Sequence, residues 1–493
     1  MTGLAGFRSL REQLETSILP LATSLEGREF SFQASLHGLA LRLGGYVMLE
    51  GDGPPRLGQI TELELTRHEG AAIDVPGEDG APDVHAGLTL RLATGRGVIV
   101  DGDDRGFHDA AIRPASSDEV EEWATRTARR AVPVEIGELT LAPGVPCRLD
   151  ARGFDRHTFL CGQSGSGKTY ALGVVLERML LETSLRIVIL DPNSDFVRLG
   201  TPRAGVEPAL AERYAEVAAG VTVHSARPGA AERLRLRLAE LGAPAQAALL
   251  RLDPIADREE HAELAELLER GGPPTTAALR GSDHPAARAL AMRVASLGTE
   301  RLGIWARDDA GSLMDALGED APRCLVVDLG SLPTPTEQAL VAQAVLGELW
   351  RRREERRPVL IVIDEAHNVC PAEPEDPLTR LAADHAVRIA AEGRKFGLHL
   401  LVSTQRPQKV QENVVAQCDN LLLMRLNSAA DAAYTQRVFS FVPPGLIALA
   451  ARFRLGEALV AGKIAPHPAL LRSGARLAEE GGGDVGADWA VAT

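Results

Sequence analysis

The spacing of apolar residues changes along this chain, and each change marks a different kind of element. Leu10, Leu14, Leu21 and Leu25 recur at roughly helical intervals around Pro20, which predicts a helical lead-in over residues 1–28. From Glu29 to Leu141 the period shortens: Leu63 and Leu65 alternate with Glu62 and Glu64, and Leu88, Leu90 and Leu92 with Thr89 and Arg91. Such alternation belongs to half-buried strands. Gly44-Gly45, Gly51 to Pro55, a loop from Gly70 to Gly87, and Gly95 to Gly97 punctuate these runs as turns. Residues 29–145 therefore predict a small β-barrel or sandwich of about five strands.

After Pro146 the order becomes strand (Thr158–Cys161), glycine loop, helix (Lys168–Glu182), strand (Arg186–Leu190), the alternation of a parallel sheet with crossover helices. Residues 205–317 are rich in Ala, Leu, Arg and Glu and read as a helical insertion. Strands resume at Cys324–Asp328, Val359–Asp364, Leu398–Ser403 and Asn420–Leu426. An α/β domain thus spans residues 146–204 and 318–472, and the tail 473–493, with Gly481 to Gly483, reads as extended or flexible from Ala478.

Composition narrows the class. A chain of 493 residues, 45% hydrophobic and 25% charged, suits a soluble protein of more than one domain. No apolar run reaches the roughly 18 residues of a membrane span. Arg8, Arg11, Glu12 and Glu15 interrupt any signal-peptide core. A cytoplasmic protein without a membrane partner is expected. Cys147, Cys161, Cys324, Cys370 and Cys418 are scattered and form no CxxC pair, so buried thiols are expected rather than a metal cluster. The net charge of −15 argues against a generally basic surface but leaves a local basic lining open. Lysine occurs only at Lys168, Lys395, Lys409 and Lys463.

That scarcity sharpens the strongest motif, Gly162-Gln163-Ser164-Gly165-Ser166-Gly167-Lys168-Thr169, followed by Tyr170. It matches a phosphate-binding loop between a strand and a helix. Glycines let backbone N–H groups curl around a β-phosphate, the helix N-terminus adds positive potential, Lys168 reaches the β- and γ-phosphates, and Thr169 ligates Mg²⁺. ATP and Mg²⁺ are the expected cofactors, with Gly162 to Tyr170 as the ATP-binding segment. Val359-Leu-Ile-Val-Ile-Asp-Glu-Ala-His367 is a buried strand ending in two carboxylates, where ligands bind in such sheets. Asp364 would hold the Mg²⁺ through its water shell and Glu365 would activate the attacking water. His367 receives no role.

Further segments carry a family resemblance. Asp191-Pro-Asn-Ser-Asp-Phe196, Glu392-Gly-Arg-Lys395, Ser403-Thr-Gln-Arg-Pro407 and Gly456-Glu-Ala-Leu459 resemble, in order and context, signatures of the HerA branch of the HerA/FtsK ATPases. Gly44 to Val47 and Leu57 to Ile60 resemble that family's N-terminal barrel, the HAS-like domain. The resemblance implies a RecA-like P-loop ATPase domain with a helical insertion, preceded by a small β-barrel. Asn193-Ser194 departs from the family's more typical His-Gly.

The resemblance also implies roles. Gln405 would sense the γ-phosphate and water, or it caps a turn together with Ser403. Arg394 would be an arginine finger given to a neighbouring subunit's ATP, or a helix-terminal cation. Arg156 matches a family arginine near the phosphates. Asp191 and Asp195 are candidate site carboxylates, or turn formers. The basic run Arg351 to Arg353, Arg356 and Arg357 closes a predicted helix, where cations are expected.

The implied activity is ATP hydrolysis coupled to translocation or unwinding of DNA, with duplex DNA the expected substrate, by a homo-hexameric ring. A nuclease, or an effector in anti-phage defence, would dock on the barrel. The alternative is an ATP-dependent scaffold or switch that gates an effector without moving DNA. A membrane-coupled conjugation ATPase is disfavoured by the lack of a spanning segment.

Overall fold

A computed structural model describes residues 3–36, 40–75, 84–280, 282, 284–306 and 310–482. In its first β-rich region, β1 (Leu21–Ser24), β2 (Glu29–Ser35), β3 (Tyr46–Glu50), β4 (Arg56–Val75), β5 (Val84–Asp101) and β6 (Phe107–Pro114) form a closed barrel in the order β1-β2-β5-β4-β3-β6. Period-two alternation drives the closure. β2 buries Phe30, Phe32 and Ala34 and exposes Glu29, Ser31 and Gln33, and the buried set meets Val47, Leu49, Ile60, Ala110 and Ile112.

Several boundaries differ from expectation. The lead-in helix α1 (Gly3–Thr16) stops before Pro20, and Leu21, read as part of a helical stripe, opens β1 instead. Proline lacks the N–H a continuing helix needs. The stretch read as a loop from Gly70 to Gly87 is mostly strand: β4 runs to Val75, β5 starts at Val84, and their register shifts between Glu69 and Ala72. Gly70 thus marks an irregularity inside a ladder rather than its end. Residues 76–83 lie outside the described residues. The barrel also ends earlier than 145. After β6 comes α2 (Ser117–Ala128), started by a capping box of Ser116 and Glu119, and β7 (Pro133–Leu139) and β8 (Pro146–Asp150) pair into a second sheet.

That sheet has 12 strands, in the order β12-β11-β13-β10-β14-β15-β9-β16-β17-β18-β7-β8. The remaining members are β9 (His157–Cys161), β10 (Arg186–Asp191), β11 (Val221–Ser225), β12 (Glu232–Arg233), β13 (Cys324–Asp328), β14 (Val359–Ile363), β15 (Leu398–Thr404), β16 (Cys418–Leu423), β17 (Glu457–Gly462) and β18 (Ala469–Ser473). From β12 to β16 the pairs are parallel; from β16 to β8 they are antiparallel. Every residue of β9, β13 and β14 is buried, at about 1.5–3 kcal/mol for each large aliphatic side chain. Alternate residues serve opposite faces. Phe159, Ile361 and Ile363 pack with the helices Pro335–Arg351 and Pro377–Glu392, while Leu160, Leu360 and Val362 pack with α3 (Lys168–Glu182).

The stretch 205–317 is not wholly helical. Helices such as Pro208–Ala218, Arg258–Glu269 and Pro285–Leu297 are present, but β11 lies parallel to β13 and extends the sheet. Its run Val221-Thr-Val-His-Ser225 is too short to stand out from an Ala- and Leu-rich background. All five cysteines are free and buried. Among the described residues no helix is long and apolar enough to cross a membrane.

The chain leading into the tail is packed. After β18 the chain turns back, and Arg476, Leu477 and Ala478 are buried. Glu177 on α3 is the reason: its carboxylate accepts from the Arg476 guanidinium and from the Leu477 and Ala478 amides at 2.6 and 3.2 Å. Residues from Gly483 onward lie outside the described residues.

Candidate active site

The glycine loop joins the carboxyl end of β9 to α3. Gly165 and Gly167 have φ of +69° and +90°, which side-chain-bearing residues rarely adopt. The Gly456 amide donates to Ser166 O at 3.1 Å, so the Gly456–Leu459 segment buttresses the loop from β17. Arg425, beyond β16, donates to Gly165 O at 2.9 Å.

Lys168 leaves this loop into a buried charge cluster. Its Nζ lies 3.0 Å from Asp364 Oδ1, 3.0 Å from Glu365 Oε1 and 3.2 Å from Ser403 Oγ. The parallel register of β14 between β10 and β15 brings these groups together from distant parts of the chain. Burial pulls the Lys168 pKa down, but the Asp364 and Glu365 carboxylates outweigh it and the net shift is upward. Glu365 sits at φ +43°, a strained backbone for a residue with a side chain. Asp364 Oδ2 and Glu365 Oε2 are buried without a hydrogen-bond partner among the described residues.

Other expected residues sort into groups. Gln163, Ser164, Gly165, Gly167, Lys168, Thr169, Tyr170, Asp195, Glu365 and Gln405 all border one cavity of about 540 Å³. The turn after β15 is capped by Thr404, whose hydroxyl accepts from the Arg406 amide at 3.0 Å, so neither Ser403 nor Gln405 is needed as its cap. Asp191 behaves as a turn former: its carboxylate accepts from the Asp195 and Phe196 amides at 3.0 and 2.8 Å. Burial raises it to about 7. Asp195 faces the cavity; burial, then the Asp364 charge, raises it to about 6 against the pull of Lys168.

The two arginines stand elsewhere. Arg156 precedes β9 and Arg394 precedes β15, at the amino ends of strands whose carboxyl ends carry the glycine loop and Ser403. A five-residue strand spans about 17 Å. Both side chains reach toward Asp419, at 3.5 and 3.7 Å. Arg156, expected near the phosphates, is therefore not in its own chain's pocket, and neither is Arg394. Their position before strands of a parallel sheet already implied this end; the family resemblance, not the strand order, placed Arg156 near the phosphates.

Sequence reasoning missed several neighbours. His367 Nδ1 lies 3.1 Å from Thr404 Oγ1 and 3.3 Å from Glu365 Oε2, and burial lowers its pKa despite the Glu365 carboxylate. Its closeness to Asp364-Glu365 in sequence was the available signal. Asp419, Arg425 and the returning tail carried none.

Residues 134–349 match the family model described as the helicase HerA central domain. Over 467 residues the chain is 24% identical to the DNA double-strand break repair helicase HerA of Sulfolobus acidocaldarius, covering 88% of each. The chain is thus similar to HerA helicases along most of its length, and the glycine-loop site is that of an ATPase. The ATPase is also 23% identical over 411 residues to the Pyrococcus furiosus protein of the same description, covering 72% of this chain and 73% of that one. With the Sulfurisphaera tokodaii protein, identity is 30% over 155 residues, 30% of each chain. Among solved structures, the ATPase is similar to the plasmid coupling protein TrwB in complex with ADP and Mg²⁺, at a TM-score of 0.49 and 15% identity, covering 74% of this chain and 94% of that one. It is also similar to VirB4 of Thermoanaerobacter pseudethanolicus, at 0.47 and 16%, covering 69% and 96%.

Proposed function

We propose that this ATPase assembles as a homo-hexameric ring that moves duplex DNA through its centre at the expense of ATP, and that its N-terminal barrel docks a nuclease or a defence effector. The observation that carries the hydrolytic part is the Lys168–Asp364–Glu365–Ser403 cluster, which reaches the glycine-loop cavity through Lys168 and Glu365. The DNA part is supported by the relatives described as double-strand break repair helicases. A place in the cytoplasm fits this reading.

The charge balance explains the expected metal. Lys168 is one cation between two buried carboxylates; when it turns to a triphosphate, those carboxylates and the phosphates need another cation. The unpartnered Asp364 Oδ2 and the Thr169 hydroxyl are hard oxygen donors suited to Mg²⁺, which usually shares its shell with phosphates and water. Bound there, Mg²⁺ would neutralise charge developing on the phosphates. Gly162 to Tyr170 hold the nucleotide, with Lys168 on its β- and γ-phosphates. Glu365 orients and deprotonates water, and Gln405 positions the γ-phosphate. Asp195 adds a carboxylate on the cavity wall, and Asp191 holds the turn that carries it. The location of Arg394 and Arg156 at the far end of the sheet supports a role for both on a neighbour's nucleotide.

A ring that only gates an effector would share every one of these residues. Displacement of a third strand from a duplex–triplex substrate separates the two. Motor activity predicts ATP-dependent displacement by the wild type and none by Lys168→Ala; ATP turnover without displacement would favour the scaffold.

A further inference from the structure

The returning tail ends against the nucleotide cavity. Arg476 is wholly buried; its Nε pairs with Glu177, and its Nη1 and Nη2 have no hydrogen-bond partner among the described residues. Its guanidinium carbon lies 5.9 Å from the centre of the Tyr170 ring, and its amide donates to the Tyr170 hydroxyl at 3.0 Å. Gly173, one turn along α3, makes the space: a Cβ there would lie 2.2 Å from that guanidinium. Beyond Ala478 the Gly481 amide donates to Asp195 O at 3.0 Å. A Cβ on Gly481 would lie 2.1 Å from Ser194 O, so the segment seats tightly on the turn after β10. Arg476, Glu480, Gly481 and Gly482 then border the same cavity as the glycine loop and Tyr170.

Lys168, Glu365 and Gln405, which serve the phosphates in the reading above, thus share one cavity with Tyr170 and the tail. With the triphosphate on the loop and Lys168, the sugar and base must leave past Thr169, the residue before Tyr170. We propose that Tyr170 and the segment Arg476–Gly482 form the nucleoside subsite, recognising the sugar and base of the bound nucleoside triphosphate. Tyr170 offers an aromatic face to the base, and the Glu480 carboxylate accepts from hydroxyl or amino donors. Arg476 is a positioning residue that fixes Tyr170 and ties the tail to α3 through Glu177. This inference rests on the ATP-site reading above and deepens it.

Binding of ATP and of inorganic tripolyphosphate to the full chain, measured by calorimetry, tests it. Tripolyphosphate reports on the phosphate end alone. Wild type should bind ATP more tightly than tripolyphosphate. Tyr170→Ala and Glu480→Ala should each lower ATP affinity, by about tenfold for Tyr170→Ala, while leaving tripolyphosphate affinity unchanged. Tyr170→Phe, which keeps the ring, should retain most of the difference. An unchanged ratio of the two affinities in Tyr170→Ala and Glu480→Ala, an equal loss of both ligands, or a wild type that binds both equally would overturn the subsite. Lys168→Ala should weaken both ligands together; if it weakens neither, the ATP-site reading itself fails.

Discussion

Replacing Lys168 with alanine should do more than prevent ATP binding; it should destabilise the nucleotide-free protein in a pH-dependent way. The ammonium lies 3.0 Å from each of two carboxylates, with 6% of its side chain exposed. At an effective dielectric of ~20, one such contact represents about 5 kcal/mol of attraction, much of it offset by desolvation. Removing one member of a buried ion pair typically costs about 3–5 kcal/mol, because the remaining charge is stranded. The stranded charges can escape only by taking up a proton. Without the ammonium two adjacent buried anions repel each other, a penalty that a proton relieves, so the deficit grows as pH rises. The deficit relative to wild type should be smaller near pH 5 than near pH 8. Asp364→Asn in the Lys168→Ala background should recover part of it, because the two substitutions are coupled. Urea unfolding of nucleotide-free protein at both pH values provides the assay, read as the midpoint shift of the ATPase-domain transition because a chain with two sheets need not unfold in one step. A midpoint equal to wild type at pH 8, or a deficit independent of pH, would refute the argument.

Other consequences follow from neighbouring geometry. Arg394→Ala subunits should bind ATP normally yet turn it over about 10³-fold more slowly, by analogy with arginine fingers, and mixing them with Lys168→Ala subunits should restore partial ATPase activity; stably mixed rings as inactive as either parent would remove the intersubunit role. His157 is held neutral, its Nδ1 accepting from the Leu400 amide at 2.9 Å and its Nε2 donating to Ala390 O at 3.0 Å. Burial, helped by His399, lowers it to about 4. Its contribution is complete above the unfolded value of about 6.5 and lost as pH falls toward 4, a swing of about 3 kcal/mol; thermal unfolding of His157→Gln should show a flatter acid limb than wild type, and parallel limbs would contradict this. Gly173→Ala should shift Arg476 and lower the melting temperature while leaving the glycine loop itself intact, which the tripolyphosphate affinity checks.

The sheet and the phosphate loop were legible because their signals are local. A buried strand such as Val359–Ile363 reads as an unbroken apolar run, and the loop declares itself through glycines and a scarce lysine. Pairing of Lys168 with Asp364 and Glu365 is a structural finding, since the sequence assigned Lys168 to phosphates and Asp364 to Mg²⁺. The short strand β11 and the turn-back at Arg476 could not be anticipated, because each is decided by tertiary partners: Cys324–Asp328 for β11 and Glu177 for the tail. Leu21 was misread because four leucines can satisfy a helical spacing by accident across a proline. Arg156 and Arg394 were singled out only by the family resemblance; their distance from their own phosphate loop follows from their place before parallel strands.

The central claim, that this cavity hydrolyses ATP with Glu365 activating the water, is tested most directly by measuring ATP binding and single-turnover hydrolysis on the same preparation of Glu365→Gln, with Mg²⁺ present and with and without duplex DNA. The substitution keeps the side chain's size and removes the base, so ATP affinity should stay close to wild type while the hydrolysis rate falls by about 10²-fold or more and DNA fails to stimulate it. Hydrolysis at the wild-type rate, or loss of ATP binding together with hydrolysis, would contradict the account.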